Sequence, residues 1–154
     1  MGFVDISKAY DSVDQDLLWQ KLESHGIGGG FLATLKSMYR GVSVCCTVYG
    51  VRTASVFLLH GLWQGCSRLP MLFALYIVDM GTDLMASQDG SLKGGVCVSG
   101  LLFADDIVLI SRSAEGLRRL IKVVKHRCDE LLLEINTGEG KMEGVSPSDD
   151  VGSF

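Results

Sequence analysis

Proline is nearly absent from this 154-residue chain; only Pro70 and Pro147 occur. So little proline excludes a collagen-like chain or a polyproline linker. Charge is also modest, 21% of residues against 47% hydrophobic, which argues against a disordered polyelectrolyte or a coiled coil. Long apolar runs are missing too. The longest uncharged apolar stretch, Leu69 to Val78, is about half the roughly 20 residues a membrane span requires, so neither a transmembrane segment nor a membrane partner is expected. The cysteines Cys45, Cys46, Cys66, Cys97 and Cys128 are odd in number and lack C-x-x-C spacing. That disfavours a disulfide framework or a zinc site and predicts reduced, mostly buried thiols. Nor is there an excess of basic charge: 14 Lys and Arg against 18 Asp and Glu give a net charge of −4, the wrong sign for a free-standing nucleic-acid binder. Met1-Gly2-Phe3 runs into Val4-Asp5 with no basic region or cleavage site, so the chain reads as intracellular, nuclear or cytoplasmic. No repeat or low-complexity segment is evident, and 16.7 kDa suits one domain.

Apolar patterning predicts the elements. Phe3-Val4-Asp5-Ile6 reads as a strand buried on both faces. Asp14 or Asp16 caps a helix with stripe Leu17, Leu18 and Leu22, ending at Gly26. Phe31, Leu35, Met38 and Tyr39 have the spacing of a second amphipathic helix ending at Gly41. Val42 to Val48 and Val51 to Leu58 form a hairpin about Tyr49-Gly50. Pro70 opens a helix that continues through Met71 to Leu84, and Val96-Cys97-Val98 is a short strand. Leu101 to Ala104 and Ile107 to Ile110 are apolar runs joined by Asp105-Asp106, a second tight hairpin. Ser113 caps the clearest helix, with Leu117, Leu120, Ile121, Val124, Cys128 and Leu131 on one face.

Charge is unevenly distributed. Six Lys and Arg lie between Arg112 and Arg127 against Glu115 alone, and seven acids follow from Asp129 onward against Lys141 alone. A solvated helix face and a loose acidic tail account for both runs. Asp5 and Asp105-Asp106 are more demanding, because ionised carboxylates inside apolar strands are costly to bury unpaired. Turn chemistry explains Asp105-Asp106, and a strand end or an ion pair with Lys8 explains Asp5. The other reading is a carboxylate cluster for two hard cations about 3.5–4 Å apart. Side-chain alternation lets only one of Asp105 and Asp106 face Asp5 directly, with the first as the closer ligand.

Four segments in order bear on that choice. Phe3 to Val13, reading F-V-D-I-S-K-A-Y-D-S-V, resembles the first catalytic motif of reverse transcriptases, especially those of non-LTR (LINE-type) retrotransposons. About 50 residues on, Gln64-Gly65-Cys66-Ser67 with Pro70-x-Leu72-Phe73 is similar to that family's Q-G-C-S-L-S-P-x-L-F motif. Phe103-Ala104-Asp105-Asp106 resembles its [YF]-A-D-D hairpin, and Leu133-x-Ile135-Asn136 followed by Lys141 resembles the motif after it.

The resemblance implies an α+β fold: a polymerase palm-like antiparallel sheet with helices packed on one face, spanning residues 1–144, with 145–154 a disordered acidic tail. It implies RNA-templated DNA synthesis by two-metal nucleotidyl transfer. Asp5 and Asp105 would be the principal ligands of Mg²⁺ or Mn²⁺, with Asp106 in support and the Ile6 carbonyl completing one site. Tyr10 would lie under the incoming sugar and obstruct a 2′-hydroxyl; packing between strand and helix is its ordinary alternative. Gln64 and Gly65 would touch the template and nascent base pair, and Lys141 the leaving pyrophosphate, unless it is a solvated tail lysine. The implied partners are an RNA template, a DNA primer and deoxynucleoside triphosphates.

The chain departs from the family pattern in several places. It carries neither the fingers segment that precedes the first motif nor a thumb, so the isolated chain is expected to have low activity. Arg68-Leu69 stands for the usual Leu-Ser, the spacing from Asn136 to Lys141 is long, and Met142 replaces Ser or Thr. Two alternatives share these residues: an inactive remnant of such an element, and an interaction module using the basic face of 112–127.

Overall fold

A computed structural model describes residues 1–57, 60–63 and 69–136. The elements in chain order are β1 (Gly2–Ser7), α1 (Gln15–Ser24), α2 (Gly29–Tyr39), β2 (Ser43–Val44), β3 (Thr47–Val48), β4 (Val51–Arg52), β5 (Val56–Phe57), α3 (Leu69–Tyr76), α4 (Val78–Ala86), β6 (Ser91–Lys93), β7 (Val96–Val98), β8 (Gly100–Phe103), β9 (Asp106–Leu109), α5 (Ala114–Glu130) and β10 (Glu134–Ile135). This is an α+β chain divided into two compact units. One joins Met1–Ala9 to the chain from Ile77 onward, and the other is Tyr10–Tyr76.

The first unit is built on a four-stranded sheet of order β10-β1-β9-β8, with every neighbouring pair antiparallel. Alternation along β1 buries Val4 and Ile6 and turns Phe3 and Asp5 the other way, so the strand expected to be buried on both faces is buried on one, because α4 and α5 pack on a single side of the sheet. The antiparallel partners keep the same sidedness, with Val4 opposite Ile107 and Gly2 opposite Leu109. One face is therefore apolar and buried, and α4 packs on β8 and α5 on β9 and β10. Two glycines permit that approach. A Cβ on Gly100 would come within 3.1 Å of a Leu84 methyl of α4, and one on Gly2 within 3.4 Å of Leu117 of α5. Both glycines pair with Leu109, from its two sides.

Helix α5 follows from local rules. Ser113 has extended backbone (φ −136°, ψ 153°) and its hydroxyl accepts from the Gly116 N–H, while Glu115 and Arg127 complement the dipole at the two ends. Leu120, Val124 and Cys128 recur every four residues and are buried. Burial pushes the Cys128 thiol up to about 11, with the Asp129 charge adding to the shift. Cys128 is the only buried cysteine among the described residues: Cys45 and Cys97 are half-buried and Cys46 exposed, all as free thiols. Mostly buried thiols were the expectation. Cys45 and Cys46 lie between two-residue strands whose residues are all exposed.

In the second unit the Asp14 carboxylate caps α1 by accepting from the Leu17 N–H at 2.9 Å, and Gly26 closes it at φ 79°. Helix α2 buries Leu32, Leu35 and Tyr39; Phe31 and Met38, expected on that stripe, are exposed. The rotation follows Tyr39, whose ring lies 5.5 Å from both Trp19 and Trp63. The Tyr49-Gly50 hairpin forms as expected, with positive φ at both residues (49° and 80°). Its ladder is broken into β3–β4 and β2–β5. Tyr76, at the end of α3, has its hydroxyl pushed up to about 12, chiefly by burial.

Two further expectations change. The helix expected through Met71 to Leu84 breaks at Ile77 (φ −100°, ψ 7°), whose carbonyl accepts from Met80 N–H at 3.0 Å; no Gly or Pro at 76–78 accounts for the break. Strand β6, absent from the sequence reading, pairs with β7 through Gly94-Gly95, two residues with positive φ. Among the described residues no single helix is long and apolar enough to cross a membrane. Leu120→Ala, at a fully buried position, is expected to destabilise the fold by about 2–5 kcal/mol, whereas Lys122→Ala on the exposed face should stay within about 0.5 kcal/mol. Urea unfolding of both variants checks the assignment of the buried face.

Candidate active site

The Asp105-Asp106 hairpin is displaced by one residue from its expected position. Its turn is Ala104-Asp105, and Asp106 opens β9 opposite Phe103. On the other side of β9, β1 extends the ladder to pair Asp5 with Asp106. The Ile6 N–H then donates to the Asp105 carbonyl at 3.3 Å. Bonds flanking a pair in this way mark it as non-hydrogen-bonded, with Cα atoms about 4.5 Å apart and side chains at their closest.

Asp5 and Asp106 therefore share the sheet face that α4 and α5 leave uncovered. Asp5 is half-buried, Asp106 exposed, and Asp105 half-buried in the turn. Like charges opposite each other are destabilising. At about 5 Å the repulsion is about 1 kcal/mol in water and about 3 kcal/mol at an effective dielectric of roughly 20. Opposing it, Asn136 Nδ2 donates to Asp5 Oδ2 at 3.1 Å, and the Asn136 N–H donates to the Asp5 carbonyl at 2.8 Å. Ile6 directs its side chain into the core at 2% exposure, leaving its backbone beside the carboxylates.

Alternation allows one aspartate to face Asp5, as expected, but the cross-strand partner is Asp106. Asp105 reaches β1 through its carbonyl. Among the described residues no group of three or more His, Cys, Asp or Glu side chains forms a ready-made metal cage. The Asn136 contact was not legible as such, because 131 residues separate it from Asp5.

Other candidate residues fall elsewhere. Tyr10 is half-buried, its ring 5.0 Å from Phe73 and its carbonyl accepting from Leu62 N–H at 2.8 Å. Gln64, Gly65, Lys141 and the tail 145–154 lie outside the described residues. Half of the basic face is committed within the chain. Arg119 binds Asp89 at 2.9 Å, Arg127 binds Asp83 and Glu130, and Arg118 binds Glu115 at 3.4 Å. The bond from Arg119 is the main cause holding the Asp89 carboxyl below its ordinary range. Only half of the six cations are left for a partner, so a module built on this face is not favoured.

Comparison with known proteins adds to this geometry. Residues 1–146 match the family model described as reverse transcriptase (RNA-dependent DNA polymerase). The chain belongs to the reverse transcriptase family. Within that family, it is 28% identical over 118 residues to the Retrovirus-related Pol polyprotein from type-2 retrotransposable element R2DM of Drosophila melanogaster, covering 77% of this chain and 11% of that protein. It is 28% identical over 108 residues to the type-1 retrotransposable element R2 polyprotein of Popillia japonica, covering 70% and 18%. An uncharacterized 149 kDa protein of transposon TX1 from Xenopus laevis is 27% identical over 118 residues, covering 75% and 9%. The chain thus spans between 9% and 18% of the length of these relatives. Such relatives agree with the non-LTR retrotransposon branch that the motifs resemble.

The Ala104-Asp105 turn holds a local strain. Ala104 has φ 54°, a left-handed conformation costing about 1–2 kcal/mol for a residue with a Cβ. Ala104→Val is expected to lower stability by at least about 1 kcal/mol, because β-branching crowds that region further. Ala104→Gly should be neutral or stabilising, and thermal unfolding of the pair reads the difference.

Proposed function

We propose that this chain supplies the palm-like catalytic segment of a retrotransposon reverse transcriptase, adding deoxynucleotides to a DNA 3′ end against an RNA template. The observation that carries the reading is the facing pair Asp5 and Asp106, with Asp105 next in the turn, on an open sheet face of a chain matching this family. Reverse transcriptases in general use divalent metal ions.

The donor set suits Mg²⁺, which polymerases hold by one or two carboxylates together with water and substrate phosphates rather than in an all-protein cage. When bound, such ions would activate the primer 3′-hydroxyl and neutralise charge on the leaving pyrophosphate. Asp5, Asp105 and Asp106 would hold them, with the Ile6 carbonyl as a further ligand. Little covalent chemistry is then asked of the protein; its task is to keep these oxygens in place on a rigid ladder.

By resemblance, Tyr10 would support the sugar and disfavour ribonucleotides. Gln64 and Gly65 would meet the template and nascent pair, and Lys141 the leaving group. RNA template, DNA primer and deoxynucleoside triphosphates are the corresponding partners, and a nuclear or cytoplasmic location follows from where those substrates are. In a polymerase carrying this segment, Asp5→Asn and Asp105→Asn should each reduce extension of oligo(dT) on poly(rA) by roughly 10³-fold or more, a loss of about 4 kcal/mol. Asp106→Asn should lose less by the resemblance, which ranks Asp105 ahead of it although Asp106 is the residue opposite Asp5. Extension near the parent rate with either of the first two would overturn the reading.

A further inference from the structure

We propose that Asn136 is a positioning residue for Asp5, fixing its carboxylate for cation binding through a two-point grip. The inference rests on the reading of Asp5 as a metal ligand. Strand β10 is two residues long and lies at the sheet edge, yet the residue that follows it bonds Asp5 twice. The Asn136 backbone N–H holds the Asp5 carbonyl at 2.8 Å, and Nδ2 holds carboxylate oxygen Oδ2 at 3.1 Å.

An ionised carboxylate only accepts, so the amide must present its nitrogen, and that neutral contact occupies one of the several acceptor positions the two oxygens offer. The terminal torsion of aspartate is broad; a donor on one oxygen sets the plane of the group. Asparagine is well suited because it is neutral. A lysine or arginine in its place would satisfy Asp5 with its own charge and compete with the metal.

The grip is itself held. Leu131 and Leu133 are buried, and the Leu133 N–H donates to the Cys128 carbonyl of α5 at 2.8 Å. The C-terminal end of α5 therefore sets where β10 meets β1, and through Asn136 the orientation of Asp5. Partners that orient metal-binding groups in this way typically contribute 10–100-fold in metal affinity.

Mn²⁺ titrated into the purified chain and followed by electron paramagnetic resonance tests the proposal on four proteins: parent, Asn136→Ala, Asp5→Asn and the double variant. Circular dichroism establishes that each is folded, and Asn136→Ser replaces the alanine variant if that one is not. Asn136→Ala should weaken Mn²⁺ binding by about 10-fold or more. Because Asn136 acts through Asp5, the double variant should bind no more weakly than Asp5→Asn alone. Weakening by Asp5→Asn with parent-like binding by Asn136→Ala would overturn the grip and spare the metal site. Additive losses in the double variant would also overturn it. No effect of Asp5→Asn would overturn the metal reading, and the role of Asn136 with it.

Discussion

The antiparallel register of β1 against β9 is the constraint on which the first unit depends. Val4 opposite Ile107 and Gly2 opposite Leu109 place one apolar set under α4 and α5. The same pleat carries Asp5 and Asp106 to the opposite face. Side chains alternate with a period of two, so a one-residue slip of one strand would move its apolar set to solvent and its aspartate into the core. Burying that carboxylate unpaired would cost several kcal/mol. The hydrophobic and electrostatic terms thus select the same register, and the candidate site is a by-product of the pairing that forms the core.

The exposed face of the sheet has an unusual composition. Phe3, Leu101 and Phe103 remain open to solvent, Phe103 at 82% exposure, on the face that carries Asp5 and Asp106. Among the described residues the helices pack on the other side of the sheet. On α5, Arg119 is engaged by Asp89, and Arg127 by Asp83 with Glu130. Those pairs tie α5 to α4 and to the segment before β6, which makes the basic run a structural device more than an interface.

The two units are organised differently. Met1–Ala9 with the chain from Ile77 onward is held by a sheet whose strands come from distant parts of the sequence, whereas Tyr10–Tyr76 is assembled locally from helices, a hairpin and the ring contacts of Trp19, Tyr39 and Trp63. Long-range pairing pays its loop-closure cost before contacts form. Strand β1 completes its sheet only after the chain has passed through the whole second unit.

Much of this was legible in the sequence. The Ser113 cap and apolar stripe of α5, the Asp14 cap of α1, the Tyr49-Gly50 turn and the first strand all follow from local chemistry, which acts over a few residues and leaves its mark in spacing. The ordered motifs from Phe3 to Asn136 likewise identified the family before any geometry. What the sequence could not determine is non-local. The turn falls at Ala104-Asp105, one residue from where it was expected, and β1, a hundred residues earlier in the chain, places Asp5 opposite Asp106. Phe31 and Met38 face outward because Tyr39 is anchored between two tryptophans. Strand β10 and the grip of Asn136 on Asp5 exist only once α5 has docked. Local propensity decides which segments are helix or strand, but the pairing of distant strands decides which side chains face one another, and chemistry at the site depends on the second.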